Sequence, residues 1–278
     1  MKDLDIFVLD NSIRESTVAQ LKGHTLESKW EIYNESKKCG FKHTIVASFG
    51  HMTRVDDVFI KQLVDRGEDR EGLWAFSELT DAIKNKVPDT ESVPVGLAKL
   101  KDAGLYNVIF ELDLGDATYD FCKFTTKQMC QLIQKWIKWT HDNLHKDAKV
   151  FVSFRDLPDA MPTDADRVFQ VVEFLSQLPP ELRLFGLMFE EPRGKSLPEE
   201  CGMWAKFIRK IMFDNDWDDG HLLVHVHEKF GYCDATALQV LMDGADGIWA
   251  SVCLEGASMG NAASAVTLMN LVRLGNKK

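Results

Sequence analysis

Short apolar or alternating segments recur along this chain, and segments with helical periodicity separate them. The apolar segments predict eight strands, which cover residues 5–10, 43–49, 72–79, 106–114, 149–154, 184–190, 221–227 and 247–253. Apolar residues three or four positions apart predict helices over residues 25–40, 125–144, 165–178, 198–213 and 233–244. The first helix has Thr25 as its predicted N-cap and Gly40 as its stop signal.

Strands that alternate with helices are typical of parallel strands joined by helical crossovers. Eight such units in 278 residues predict an α/β fold of the (β/α)8 TIM-barrel type, which usually takes about 250 residues. A doubly wound open sheet is the alternative, and it usually has a glycine-rich turn after its first strand. Residues 10–16 read DNSIRES and contain no glycine, which favours the barrel. No linker or low-complexity segment divides the chain, so we expect a single domain over residues 1–278.

The composition of the chain argues against two classes of binding partner. The net charge of −10 and the pI of about 5.3 argue against nucleic acid and anionic membranes, which favour basic surfaces. No segment approaches the roughly 18 apolar residues of a membrane span, and the N-terminus lacks the features of a signal peptide. Six cysteines without a CxxC pair are typical of reduced thiols. We therefore expect a cytoplasmic protein, with any organelle-targeting peptide absent or already removed.

The segment HLLVHVH, residues 221–227, contains the most distinctive chemistry. In a strand, His225 and His227 point to the same face, with Leu223 behind them. Two imidazoles one step apart at the end of an apolar strand are typical of a pair of metal ligands. A pair of hydrogen-bonded histidines at a strand end is the structural alternative.

Active sites of (β/α)8 barrels lie at the C-terminal ends of the strands. Several polar residues follow the predicted strands at that end. Those that we take as candidate substrate-binding residues are Ser48, His51, Glu111, Arg155, Glu190 and Arg193.

Closure of the barrel brings the first, seventh and eighth strands together. Glu15, His225, His227 and Asn261 could therefore converge, and mixed nitrogen and oxygen ligands suit Mg, Mn, Zn or Co. Taken singly, Glu15 is equally consistent with a surface carboxylate that pairs with Arg14, and Asn261 with a helix N-cap.

Three motifs occur in one order along the chain. Residues 10–16 read DNSIRES and precede TLESK at 25–29, residues 225–231 read HVHEKFG, and residues 255–262 read EGASMGNA. Together they resemble the DRE-TIM metallolyases, a superfamily that includes HMG-CoA lyase, 4-hydroxy-2-oxo-acid aldolases, isopropylmalate, citramalate and homocitrate synthases, and the carboxyltransferase domains of biotin enzymes. The resemblance spans the chain, with its specific motifs at the two ends.

The resemblance implies a metal-dependent reaction on an enolate. In that family the aspartate of an R-D pair, both histidines and the asparagine hold a divalent cation, and the arginine stabilises the enolate oxygen. Carried over to this chain, the metal ligands are Glu15, His225, His227 and Asn261, and the catalytic pair is Arg14 and Glu15. The resemblance also implies a homodimer that acts on a small organic acid or an acyl-CoA.

Departures from the family pattern concern the carboxylates. The R-D pair is Arg14-Glu15 here, so the carboxylate lies one methylene further from the backbone. The second strand lacks the glutamate found near its end in many members. The sixth strand ends FEEPRG, residues 189–194, where lyases and synthases usually have D-T-x-G.

Three functions follow from these observations. The first is a divalent-metal carbon–carbon lyase or aldolase that cleaves an oxo- or hydroxy-acid through an enolate. The second is a Claisen-type acyltransferase that joins acetyl-CoA to a 2-oxo acid, which the opening DNSIR and the short EGASMGN loop favour. The third is a non-catalytic or repurposed barrel, which the altered carboxylates favour. His51 and Glu111 are the candidates for the proton-transfer group.

Overall fold

Strands and helices alternate along the chain and close into a barrel. The computed structural model describes residues 3–15, 25–49, 54–256 and 259–278, with backbone only for Glu15 and Arg54. Eight parallel strands pair in chain order, and the last closes on the first. They are β1 Phe7–Asp10, β2 His43–Ser48, β3 Leu73–Glu78, β4 Asn107–Leu112, β5 Val150–Phe154, β6 Gly186–Glu191, β7 His221–Val226 and β8 Gly247–Ala250. The predicted (β/α)8 barrel is confirmed.

Helices connect the strands around the outside of the barrel. They are α1 Ser12–Glu15, α2 Leu26–Lys38, α3 Arg54–Asp65, α4 Val95–Ala103, α5 Thr126–Asn143, α6 Leu157–Ser176, α7 Pro198–Asp214, α8 Cys233–Met242 and α9 Ser264–Arg273, with a 3₁₀ turn at Pro180–Leu182. None of the helices among the described residues has both the length and the apolar character that crossing a bilayer requires.

Side-chain caps fix where several helices begin. Thr25 accepts a hydrogen bond from the Ser28 backbone amide, as predicted for an N-cap. In α6 the backbone leaves the helical region at Asp164, whose carboxylate accepts a hydrogen bond from the Arg167 amide at 3.0 Å. The helix predicted over 165–178 is therefore the second segment of α6, with Asp164 as its cap.

Two apolar layers stabilise the barrel. One lies between the strands and the surrounding helices. The other, which we call the inner core, fills the barrel itself with side chains from all eight strands. Its buried members are Leu9, Ile45, Trp74, Phe76, Ile109, Phe151, Met188, Leu223 and Trp249. Because large apolar groups of the described strands fill the interior, the barrel is a packed core there, and polar chemistry is expected at its two ends.

Several details differ from the sequence-based expectations, including helices α3 and α4, which were not among the helices predicted. A short antiparallel hairpin, Ile83–Lys84 with Val87–Pro88, follows β3 and was not predicted. Strand β8 ends at Ala250 and not at residue 253, because the Val252 amide donates to the Ser12 hydroxyl at 2.9 Å and leaves the ladder. All six cysteines are free thiols, as expected.

Candidate active site at the C-terminal end of the barrel

The paired histidines lie at the C-terminal end of β7 and point into the barrel. His225 is in the strand, and His227 follows it directly. Leu223 lies below them in the inner core, as the two-residue period predicts. The two rings lie 4.8 Å apart and nearly perpendicular. The prediction that His225 and His227 point to the same face of the strand, with Leu223 behind them, is therefore confirmed.

Neighbouring strand β8 fixes the orientation of His225. Its Nδ1 lies 2.8 Å from the carbonyl oxygen of Trp249, and its ring stacks on the indole of Trp249 at 4.1 Å. A carbonyl oxygen can only accept a hydrogen bond, so Nδ1 carries the proton. In the neutral ring, Nε2 is then the nitrogen with the lone pair. Metal-binding histidines are usually oriented by a hydrogen bond of this kind.

A carboxylate from β6 lies beside the two rings. Glu190 is directly opposite His225 in the parallel register of β6 and β7. Its Oε1 lies 2.7 Å from Nε2 of His227. Burial raises the pKa of Glu190, but the hydrogen bond from His227 and the positive charge of both histidines and Arg14 outweigh burial and hold the pKa below its usual range. Glu190, His225 and His227 form a cluster whose ligand atoms lie within 4.8 Å of one another.

Asn261 lies next to His227, on the loop after β8. It bridges His227 through the backbone, and the adjacent Ala262 amide donates to the Val226 carbonyl at 2.8 Å. Gly260, which precedes it, has φ +98°, and a Cβ there would lie 2.8 Å from the Leu254 carbonyl oxygen. The Asn261 side chain is fully buried, and neither of its amide atoms has a hydrogen-bond partner among the described residues. Such a group favours an additional ligand at this point.

Arg14 enters the barrel mouth from the turn after β1, the strand that pairs with β8. It belongs to the short helix α1, and its guanidinium lies 5.0 Å from the centre of the Phe76 ring. Phe76 in turn lies 5.1 Å from Trp249. The two rings form an aromatic floor under Arg14 and His225. The backbone of Glu15 is part of α1, whereas the position of its side chain lies outside the described structure.

A buried lysine holds α1 in place. Nζ of Lys29 donates to the Ile13 carbonyl at 3.1 Å and pairs with Asp56 at 2.6 Å. Burial lowers the pKa of Lys29, and the charge of Asp56 opposes that change. A buried ammonium group is costly unless it has partners, so these two contacts are expected to persist. Together they tie the turn that carries Arg14 to α2 and α3.

A second charged cluster lies across β3, β4 and β5. The Arg155 guanidinium makes two hydrogen bonds to Asp113, at 3.0 and 2.8 Å, and two to Glu78, at 2.8 and 3.5 Å. Glu111 lies 3.6 Å from the same guanidinium. We call these four residues the carboxylate–arginine cluster. Arg155 neutralises part of a strongly acidic wall, so it is already engaged by protein carboxylates.

Glu111 has an unusual protonation equilibrium within this cluster. Burial raises its pKa to about 7, and the charge of Glu78 acts in the same direction, while Arg155 and Arg14 oppose it. A carboxyl group with this pKa exists in both forms near neutral pH, which is the property required of a general acid or base. The sequence named Glu111 only because it lies near a strand end.

The remaining predicted residues have different settings. Ser48 is buried at the end of β2. Arg193 forms a two-pronged pair with Asp159, at 2.6 and 2.7 Å, on the outer side of the mouth. His51 lies outside the described residues. A role in substrate binding stays a prediction for all three.

Sequence reasoning assigned no role to Asp113 or Trp249 and left Glu78 unused. All three lie within a few residues of a strand end, which was a usable signal for the carboxylates. The contact of Trp249 with His225 had no signal in the sequence, because it depends on the stagger between β7 and β8.

Comparisons with known proteins agree with the fold. No family model matches the sequence, and no curated protein matches it. Among solved structures, the chain is similar to the HMG-CoA lyase of Pseudomonas aeruginosa, with a TM-score of 0.71 at 13% identity over 100% of this chain and 88% of that one.

Two further solved structures give the same result. The HMG-CoA lyase of Bacillus subtilis has a TM-score of 0.71 at 14% identity, over 100% and 89% of the two chains. An HMG-CoA lyase of Acinetobacter baumannii, solved with coenzyme A and 3-methylmalate, has a TM-score of 0.68 at 12% identity, over 98% and 85%. The fold implied by the resemblance to the DRE-TIM metallolyases is therefore the fold that this chain has.

Proposed function

We propose that this protein is a divalent-metal-dependent carbon–carbon lyase of the DRE-TIM type, which cleaves an oxo- or hydroxy-acid, free or as a CoA thioester, through an enolate. The observation that carries the proposal is the cluster of Glu190, His225 and His227 at the end of the barrel where catalysis occurs in this fold. The buried Asn261 lies next to His227, and Arg14 lies at the same mouth.

The residues of the cluster suit a divalent cation. His225 has the tautomer of a ligand, because its Nδ1–H donates to the Trp249 carbonyl. The buried amide of Asn261 has no hydrogen-bond partner among the described residues, and its oxygen is a ligand that hard cations accept. His225, His227, Asn261 and one carboxylate would hold the cation. When bound, it would polarise the carbonyl oxygen of the substrate.

Arg14 supplies fixed positive charge at the same mouth. Cleavage of a carbon–carbon bond next to a carbonyl group leaves the bonding electron pair on the enolate fragment. A guanidinium that is already oriented lowers the free energy of that negative charge without reorganisation during the reaction. The Phe76 ring beneath Arg14 and the Lys29 anchor below α1 limit its movement.

Glu111 is the proton carrier in this proposal. In the ionised form it accepts the proton from the substrate hydroxyl, the carbon–carbon bond breaks, and the oxygen of the former hydroxyl becomes a carbonyl. In the protonated form it returns the proton to the enolate carbon, which completes the balance. Its pKa of about 7 permits both steps near neutral pH.

The test begins with the purified protein and Mn²⁺ or Mg²⁺. We expect a panel of 3-hydroxyacyl-CoA thioesters and 4-hydroxy-2-oxo acids to yield acetyl-CoA or pyruvate, respectively, each with a second carbonyl product, and coupled enzyme assays detect both. His227→Ala should abolish both metal binding and product formation, because it removes a ligand. Matched circular dichroism spectra would exclude unfolding of the variant.

Two results would contradict the proposal. The first is a wild-type protein that binds no divalent cation in equilibrium dialysis. The second is release of free thiol from acetyl-CoA in the presence of a 2-oxo acid without any cleavage activity, which indicates the acyltransferase instead.

A further inference from the structure

The DRE-TIM resemblance takes the metal's carboxylate ligand from the turn after β1, where this chain has Glu15. We propose that Glu190, on β6, is the carboxylate ligand of this protein. The metal set is then a 2-His-1-carboxylate group, with Asn261 beside it. This inference rests on the proposed function, because it assigns a ligand within the same metal site.

Strand register places Glu190 among the histidines. Residues directly opposite each other in neighbouring parallel strands point to the same face, and Glu190 is opposite His225 over a six-pair register between β6 and β7. Backbone pairing between the two strands, and not a loop, therefore fixes the positions of the Glu190 carboxylate and the His225 imidazole. Ligands on adjacent strands are held more precisely than ligands on loops.

The observed separation matches that of two ligands of one cation. Neighbouring donor atoms about 2.1 Å from an octahedral cation would lie about 3.0 Å apart. Oε1 of Glu190 and Nε2 of His227 lie 2.7 Å apart. A cation that replaces the shared proton thus requires only a small outward movement of either group.

Charge balance favours the same assignment. Glu190 is largely buried, with a side chain only 12% exposed. A buried carboxylate requires a cationic partner to offset the loss of hydration. Histidines that bind a metal are neutral, so with a divalent cation bound, the two imidazoles and Glu190 would give this site a net charge of about +1, which suits an anionic oxygen of the substrate.

The next residue in the strand provides a matched control. Glu191 has the same side chain, is fully buried, and alternates to the outer face of β6. There its carboxylate accepts weak hydrogen bonds from the Lys195 amide and the Ser196 hydroxyl, at 3.3 and 3.4 Å. The two glutamates therefore have the same functional group but lie on opposite faces of β6.

The experiment compares Glu190→Gln, Glu15→Gln and Glu191→Gln with the wild-type protein. Mn²⁺ binding is measured by isothermal titration calorimetry, and the Co²⁺ absorption spectrum reports the ligand field without any substrate. Loss of groups that only orient a ligand typically costs about 10- to 100-fold in metal affinity, so loss of a ligand should cost about 100-fold or more. We expect that loss for Glu190→Gln, with a changed Co²⁺ spectrum, and a change of less than about threefold for the other two variants.

Different outcomes separate the two proposals. If Glu15→Gln abolishes Mn²⁺ binding and Glu190→Gln retains it, the ligand is the family's and this inference is wrong, while the proposed function stands. If the wild-type protein binds neither cation, both fail. Gln has nearly the same shape as Glu, so each variant should fold, and its melting temperature distinguishes a lost ligand from a lost fold. Glu190→Asp keeps a carboxylate and should recover part of the Mn²⁺ affinity.

Discussion

The two ends of the barrel each contain a pair of histidines, and the pairs differ in their surroundings. At the N-terminal end, His221 bonds Asp246 at 2.7 Å, and Asp246 also accepts hydrogen bonds from Arg209 and the Leu222 amide. At the C-terminal end, His225 and His227 lie beside Glu190 and an asparagine whose buried amide has no partner among the described residues.

The second histidine of the N-terminal pair is equally well accommodated. His43 accepts a hydrogen bond from the Trp74 indole at 3.2 Å and packs on Phe7 at 4.7 Å. Burial lowers its pKa to about 4, helped by the charges of Lys149 and His221, so it is neutral at physiological pH. Among the described residues, neither histidine of this pair has a buried ring nitrogen without a hydrogen-bond partner.

Both ends of the barrel contain histidines, so the difference between them arises from position and not from residue type. His221, His225 and His227 lie on one face of the same strand. Only the upper two reach the end where loops and carboxylates converge. In this fold the N-terminal end contributes to stability and the C-terminal end to chemistry, so one histidine is structural and the other two are candidates for function.

The largest expected effect tests this division directly. His225→Phe should lower Mn²⁺ affinity by about 100-fold or more, because it removes a ligand but keeps an aromatic ring on Trp249. His221→Phe should leave Mn²⁺ affinity unchanged and destabilise the fold by about 1–2 kcal/mol through the lost bond to Asp246. Calorimetric titration and urea unfolding measure the two quantities. Equal losses of metal affinity in both variants would mean that the ends are not functionally distinct.

A smaller effect concerns protonation at the mouth. Arg155 favours the ionised form of Glu111, so Arg155→Met should raise the pKa of Glu111 further. The base is active only when ionised, and the acid limb of the kcat/KM profile should therefore move from near pH 7 to higher pH. A shift of one unit corresponds to about tenfold lower activity on that limb.

The matching change at the other end is Arg209→Met. Arg209 also pairs with a carboxylate, Asp246, but at the bottom of the barrel. We expect a lower melting temperature and an unchanged acid limb for that variant. An acid limb that moves in Arg209→Met, or that stays in place in Arg155→Met, would refute the role given to the carboxylate–arginine cluster.

The smallest expected effect concerns the two buried tryptophans of the inner core. Trp249 stacks on His225, whereas Trp74 contacts His43 at the opposite end. A favourable aromatic contact is worth about 0.5–1.5 kcal/mol, so Trp249→Phe should weaken Mn²⁺ binding by roughly two- to tenfold. Trp74→Phe should leave it unchanged. A metal affinity that responds equally to both substitutions would assign Trp249 to packing alone.

Much of the fold could be predicted from the sequence, because strand and helix periods differ. The strand positions agree to within three residues at each end, and the faces of His225 and His227 follow from a period of two. The hairpin after β3 was missed because its turn residues, Asn85 and Lys86, adopt positive φ values without a glycine to signal them.

The site could be predicted only in part. Strand-end position identified Glu190 and Arg155 as candidates, but not their partners. Those partners depend on register and stagger between strands, which the sequence of a single strand does not specify. Glu190 was therefore interpreted as a substrate contact, although it lies against His227. For Glu15, the position of the side chain stays untested.

The seam between β1 and β2 has a consequence for dynamics. The ladders of β1 with β2 and of β7 with β8 each have two register pairs, whereas β6 and β7 share six. The Ala262 and Glu228 amides add hydrogen bonds between β7 and the loop after β8. Since local opening costs least where few backbone hydrogen bonds must break, the barrel parts first between β1 and β2. Such openings separate Arg14, which follows β1, from the Phe76 ring of β3, while β8 and β7 keep the arginine beside the histidines. The strength of one short strand ladder thereby sets how much of the time the aromatic support of Arg14 is in place.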